Sequence, residues 1–104
     1  GEHLAALWLM LQGWRILGRR VRVRAGEVDI IARRGRTIAF VEVKTRRQIR
    51  DLDLAIDDYR LKRVRAAARA LAHRYARPDD RIQIDVILIA PFTLPRHLTN
   101  VSHG

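Results

Sequence analysis

Apolar residues recur at Leu4, Leu7, Trp8 and Leu11, the i, i+3, i+4, i+7 spacing of an amphipathic helix over Glu2 to Gln12. Gly13 supplies its stop. From Trp14 to Arg24 the pattern changes period, with Val21 and Val23 alternating against Arg20, Arg22 and Arg24 as in a strand. Ala25-Gly26 breaks that run, and Glu27 to Ala32 reads as a second strand. Arg34-Gly35-Arg36 makes a tight hairpin turn into a third, Thr37 to Lys44. Residues 45–53 are polar and read as a loop. A second helix is expected from about Leu54 to Ala76, with Leu61, Val64, Ala68, Leu71 and Tyr75 on one face. Pro78-Asp79-Asp80 ends it before a last strand, Ile82 to Ala90.

The order α-β-β-β-α-β predicts an α/β fold, a mixed central sheet flanked by helices. No repeat or linker interrupts it, so residues 1–104 read as one domain, with 91–104 an irregular tail.

One strand carries an anomaly. Phe40-Val41-Glu42-Val43-Lys44 continues an apolar run, yet Glu42 and Lys44 leave the same face. Charges on a mostly buried strand are costly unless they are paired, bind a metal or reach a cleft. On the preceding strand Glu27, Asp29 and Ile31 share a face, and hairpin pairing brings Asp29 close to Glu42 and Lys44. Two adjacent carboxylates repel unless a cation or proton lies between them. Mg²⁺ suits them, since it takes hard oxygen ligands and often only one or two carboxylates. A lysine beside it can orient water and offset charge on a phosphate. Spacing alone leaves a second reading open, a structural salt bridge in which Lys44 or an arginine neutralises Asp29 or Glu42.

Composition narrows the field. The chain has 21 basic and 11 acidic residues, a formal net charge of +10, and this excess favours a polyanion such as nucleic acid. Nineteen of the basic residues are arginine, as a GC-rich genome would also favour; the two lysines are Lys44 and Lys62. With no cysteine there is no disulfide, thiol nucleophile or cysteine zinc site. The four histidines lack tight ligand spacing and read as isolated surface groups. The apolar run Leu4 to Trp14 is too short to span a bilayer and lacks signal-peptide flanks, so no membrane role and a cytoplasmic location are expected. The chain does not begin with methionine, which points to residues missing from its front.

Asp29 followed by Glu42-x-Lys44 resembles the PD-(D/E)xK motif of the restriction-endonuclease-like superfamily, whose core has a similar element order. More closely, Gly26 to Ala32 (GEVDIIA) and Phe40 to Arg46 (FVEVKTR) resemble the GEIDLIA and FVEVKxR blocks of the YraN family. That family of small bacterial proteins is described as candidate endonucleases, similar to archaeal Holliday-junction resolvases. The resemblance extends through Gly1-Glu2, Gly13 to Leu17, Lys62 and Ile84 to Ile87. It implies Mg²⁺ or Mn²⁺ held by Asp29, Glu42 and the backbone carbonyl of Val43, with Lys44 polarising the attacking water or scissile phosphate. Glu2 matches the first-helix acid of resolvase-like members, although an acid in a helix's first turn is also favoured by the macrodipole. Val28 stands where the superfamily has proline, as the YraN block expects. The loop Gln48 to Asp53 departs from the family, which leaves substrate choice open.

Glu27 is an additional site candidate or an arginine's partner, and Asp85 reads as a structural partner of an arginine. Arg20, Arg22 and Arg24 on the first strand, Arg46, and the helical stripe Lys62, Arg65, Arg69 are candidate phosphate contacts. Such contacts position nucleic acid without reading its sequence. The leading expectation is a metal-dependent DNA endonuclease, selective for structures such as junctions or flaps. The alternatives are a non-catalytic nucleic-acid-binding module and a protein-interaction domain with structural charges. Resolvase-like relatives act as homodimers, for which the Leu4–Trp8 region or the apolar tail is available.

Overall fold

The computed structural model describes residues 1–47 and 58–101. In chain order these form α1 (Glu2–Leu11), β1 (Arg15–Val23), β2 (Gly26–Arg34), β3 (Thr37–Thr45), α2 (Asp58–Tyr75), β4 (Arg81–Ile89) and β5 (Arg96–Leu98). The expected start of the second helix at Leu54 and the loop from Gln48 onward lie outside the described residues.

Hydrogen bonding orders the sheet β1-β2-β3-β4-β5. The pairs β1/β2, β2/β3 and β4/β5 are antiparallel, whereas β3 and β4 are parallel. A parallel pair needs a crossover, and α2 provides it. The β2–β3 turn is as tight as the sequence predicts. Arg34 pairs with Thr37, and Gly35 takes φ 61°, a conformation short hairpin loops demand and glycine adopts cheaply.

Each face of the sheet has its own core. Val28, Ile31, Ile38, Phe40, Ile84, Val86 and Leu88 pack under Leu61, Val64, Ala67, Ala68 and Leu71 of α2, the helix face read from sequence. On the opposite side, Ile30, Ala32, Ala39, Val41, Ile87 and Ile89 meet Ala5, Ala6 and Leu9 of α1, with Trp14 beside them. From Val86 to Ile89 strand β4 is therefore apolar on both faces, as expected of a strand inside a covered sheet.

Two expectations need correction. Helix α1 does not bury Leu4, Leu7, Trp8 and Leu11; it buries Ala5, Ala6 and Leu9, while Leu4, Leu7, Met10 and Leu11 stay exposed. The helix is apolar nearly all round, and its alanines let it lie close to Ala32 and Ala39. The tail is not irregular throughout, since Arg96–Leu98 adds a fifth strand along β4.

Candidate functional site

The β2–β3 ladder runs from Arg34↔Thr37 to Ile30↔Val41. Continuing the register sets Asp29 across from Glu42, where a carboxylate replaces the next backbone partner. Asp29 Oδ2 accepts a 2.7 Å hydrogen bond from the Val43 amide. In an extended chain the N–H and C=O of one residue face the same neighbour, so the Val43 carbonyl is aimed to that side too. Alternation along β2 also slips here. Val28 and Ile31 share the α2-side core, although an uninterrupted strand would place them on opposite faces. Across from the slip, between the pairs Arg19↔Ile30 and Val21↔Val28, Arg20 takes φ 51°. Such a conformation is uncommon for a side-chain-bearing residue.

Glu42 is buried on the α2 side of β3. Burial and the Asp29 charge push its carboxyl up to about 7, against the opposing pull of Arg60 and Lys44. Burial likewise raises Asp29; the Val43 amide and Arg60 oppose that rise, and Glu2 adds to it. The two acids share a hydrogen bond, which favours the protonated form of Glu42. Lys44 is also buried, as a lysine two residues along the same strand face would be. Asp29, Glu42 and Lys44 thus come together as the spacing predicts.

These groups suit a hard divalent cation. Glu42 Oε1 is buried and has no hydrogen bond among the described residues. Arg60 Nη2 stands 2.8 Å from it as a charge contact without hydrogen-bond alignment. Among the described residues no three acidic or histidine side chains converge. The donor set is then two carboxylates and a carbonyl, the sparse set that Mg²⁺ accepts when water and substrate oxygens complete its shell.

Glu2, in the first turn of α1, accepts from Arg20 Nε at 2.9 Å and lies near enough to Asp29 to raise its pKa. Glu27 pairs with Arg22 at 3.2 Å, the arginine partnership weighed from sequence. Two clefts flank this edge. One, of about 420 Å³, is lined by Glu2, Arg20, Arg22, Glu27, Val28 and Asp29. The other, of about 330 Å³, is lined by Glu27, Glu42, Tyr59, Arg60 and Arg63.

The remaining basic candidates scatter. Arg24 is exposed in the β1–β2 turn. Arg46 follows β3, its guanidinium donating to the Thr45 carbonyl at 2.9 Å. Lys62 and Arg69 are exposed, while Arg65 is half-buried. Arg65 and Arg69 also line a separate pocket against Ile82 and Ile84.

Asp85 is fully buried, but its partner is not an arginine. His97 Nε2 lies 2.7 Å from Oδ2, and the Asn100 amide donates to Oδ1 at 2.9 Å. His97, expected at the surface, instead ties β5 to β4 and stands edge-on to Trp14. Neither this pair nor the contact of Arg60 with Glu42 is among the sequence-based expectations. Arg60 has one faint signal, a basic residue opening the helix that follows two acidic strands.

The fold and chain have clear relatives. The UPF0102 proteins of Sphingopyxis alaskensis and Rhizorhabdus wittichii are 65% and 61% identical to it. The matches cover 96% and 100% of this chain and 86% and 88% of those proteins. Among solved structures, the Holliday junction resolvase Hjc of Archaeoglobus fulgidus superposes with a TM-score of 0.68 at 22% identity. That match covers 94% of this chain and 72% of Hjc, and it supports the restriction-endonuclease-like fold expected from sequence. Residues 1–89 match UPF0102, described as an uncharacterised protein family, and the chain belongs to that family, the one its sequence blocks resemble under the name YraN.

Proposed function

We propose that the protein is a divalent-metal-dependent endonuclease that hydrolyses phosphodiester bonds in cytoplasmic DNA, with preference for junction- or flap-like structures. The observation that carries this reading is the contact between Asp29 and the Val43 amide beside buried Glu42, on the strand face that bears Lys44. Nothing in the packing requires two acids there, and perturbed carboxylates lining a cleft are a functional signal. The solved neighbour is a Holliday junction resolvase, which favours DNA over other polyanions.

Asp29, Glu42 and the Val43 carbonyl would hold Mg²⁺ or Mn²⁺. A bound ion supplies Lewis-acid chemistry, lowering the pKa of water and offsetting charge on the phosphate. Lys44 orients the attacking water and the scissile phosphate. One water oxygen bonds to phosphorus, one P–O ester bond breaks, and the departing sugar oxygen leaves as a hydroxyl after taking a proton. Glu2 holds Arg20 at the neighbouring cleft, and Glu27 holds Arg22; both arginines face incoming phosphate there. A junction has twofold symmetry, and we assign pairing of two copies to the exposed α1 row Leu4, Leu7, Met10 and Leu11.

The test is cleavage of labelled linear, single-stranded, flap and four-way-junction DNA with Mg²⁺ or Mn²⁺. Metal-dependent cutting by the wild type, lost in Glu42→Ala and Lys44→Ala, supports the nuclease. The Arg60 contact at Glu42 favours a second reading, a non-catalytic binding module whose acids are structurally neutralised. Tight binding of these DNAs without cutting by the wild type would select it.

A further inference from the structure

We propose that Arg60 and Arg63 of α2 form a second, phosphate-binding half of the site. In this arrangement Arg60 is a stand-in for the cation at Glu42 until the cation binds. The inference rests on the nuclease reading and concerns residues to which that reading gives no task.

The contact at Glu42 is one-sided. The Glu42 side chain is 5% exposed, whereas that of Arg60 is 50% exposed. Arg60 therefore reaches from solvent to a buried acid, and can turn away without being dragged from a core. Its guanidinium presents charge to Oε1 but leaves that oxygen without an aligned hydrogen bond. A structural ion pair that repays burial usually has good geometry with the remaining lone pairs satisfied, and this one does not. It neutralises the acid without locking it.

The surroundings show where Arg60 turns. The 330 Å³ cleft contains Glu42 on one wall, with Tyr59, Arg60 and Arg63 on another. Arg60 and Arg63 are i, i+3 neighbours along the helix, and the Arg63 guanidinium lies 6.0 Å from the Tyr59 ring centroid. Two planar guanidiniums one turn apart suit phosphate oxygens, which they can bind in bidentate fashion.

The backbone holds this wall against the acids. A Cβ on Gly26 would collide with the Arg63 carbonyl and Cα. Because position 26 is glycine, α2 rests directly on the start of β2, one residue from Glu27. With a cation at the acids, Arg60 leaves Glu42 Oε1 and joins Arg63 on the substrate phosphate. Without one, Arg60 keeps the acids neutralised and half the phosphate site is withheld.

The test separates metal from phosphate. Mn²⁺ binding to the full chain without DNA is measured by titration calorimetry for wild type, Arg60→Ala, Arg60→Lys and Arg63→Ala. Circular dichroism checks each fold. Removing a cation that competes at Glu42 should tighten Mn²⁺ binding in Arg60→Ala by about fivefold. Arg60→Lys should stay near wild type, and so should Arg63→Ala. Binding of a labelled four-way junction is then followed against salt, with Ca²⁺ or with EDTA. In Ca²⁺ each alanine variant should lower the salt slope by about one; in EDTA only Arg63→Ala should. Wild type that binds Mn²⁺ while Arg60→Ala binds it no more tightly overturns this proposal and spares the nuclease. Wild type that binds no Mn²⁺ overturns both.

Discussion

Two acidic sites at opposite ends of the β2–β3 hairpin are built on opposite terms. At the turn end, Asp80 accepts from both terminal nitrogens of Arg33 and from the Arg77 amide. Those partners, Arg33 first, hold its carboxyl below the ordinary range. At the open end, Asp29 and Glu42 face each other, and burial drives both upward. The same fold thus meets one acid with aligned donors and crowds two others together, with Glu42 Oε1 lacking a hydrogen bond among the described residues. Fold stability accounts for the first arrangement; the second makes sense as a place for something that the protein binds.

The largest effect that can break this contrast is on chemistry. Lys44→Ala should lower metal-dependent cleavage by roughly 10²–10⁴-fold, the range of a lost acid–base or electrostatic group. Glu42→Gln should abolish cutting as well, yet leave the melting temperature equal or higher, because it removes a repelling charge. A marked drop in melting temperature for Glu42→Gln would make the open end structural after all.

Gly26→Ala comes next. A methyl group wedged beneath α2 should cost about 1–3 kcal/mol, read by urea denaturation, and reduce cleavage as the helix lifts from the acids. Unchanged stability would mean that α2 is not seated by that glycine.

Opposite pH slopes sharpen the comparison further. Glu42 binds its proton more tightly folded than unfolded, so between about 4.5 and about 7 the folded state holds more protons. Stability of the metal-free protein should therefore fall as pH rises through that window, and Glu42→Gln should remove the decline. Asp80 has the reverse sign. Its contribution is present above the ordinary aspartate pKa and fades as pH falls through its lowered folded value, so Asp80→Asn should cost stability at neutral pH and progressively less in acid. Coincident slopes in the two variants would erase the distinction between the sites. The smallest effect belongs to exposed Lys62, whose alanine variant should weaken junction binding by only a few-fold with cleavage chemistry intact, judged from single-turnover rates.

Much of this was legible in the chain. Alternation marked the strands, the Arg34-Gly35-Arg36 turn set the register, and the register brought Asp29 to Glu42. The α2 face was readable because charged and apolar residues segregate on it. On α1 they do not, and the helix turned on its alanines instead. The slip at Asp29 lies across from Arg20 of β1, whose φ is 51°, and residue spacing within β2 carried no trace of it. His97 and Asp85 meet only because a three-residue strand folds back along β4, a non-local contact without periodicity. Arg60 was one arginine among many until the crossover placed it over Glu42.

That crossover also sets an order of assembly. Strands β2 and β3 are joined by a two-residue turn, whereas β3 and β4 pair across residues 46–80. Local pairings close before distant ones because their loops cost less entropy. Asp29 and Glu42 therefore meet while the hairpin is still wet, when their repulsion is small. The penalty falls due only as α2 settles and shuts out water, in the same event that delivers Arg60. Folding brings the counter-charge at the moment it is first needed.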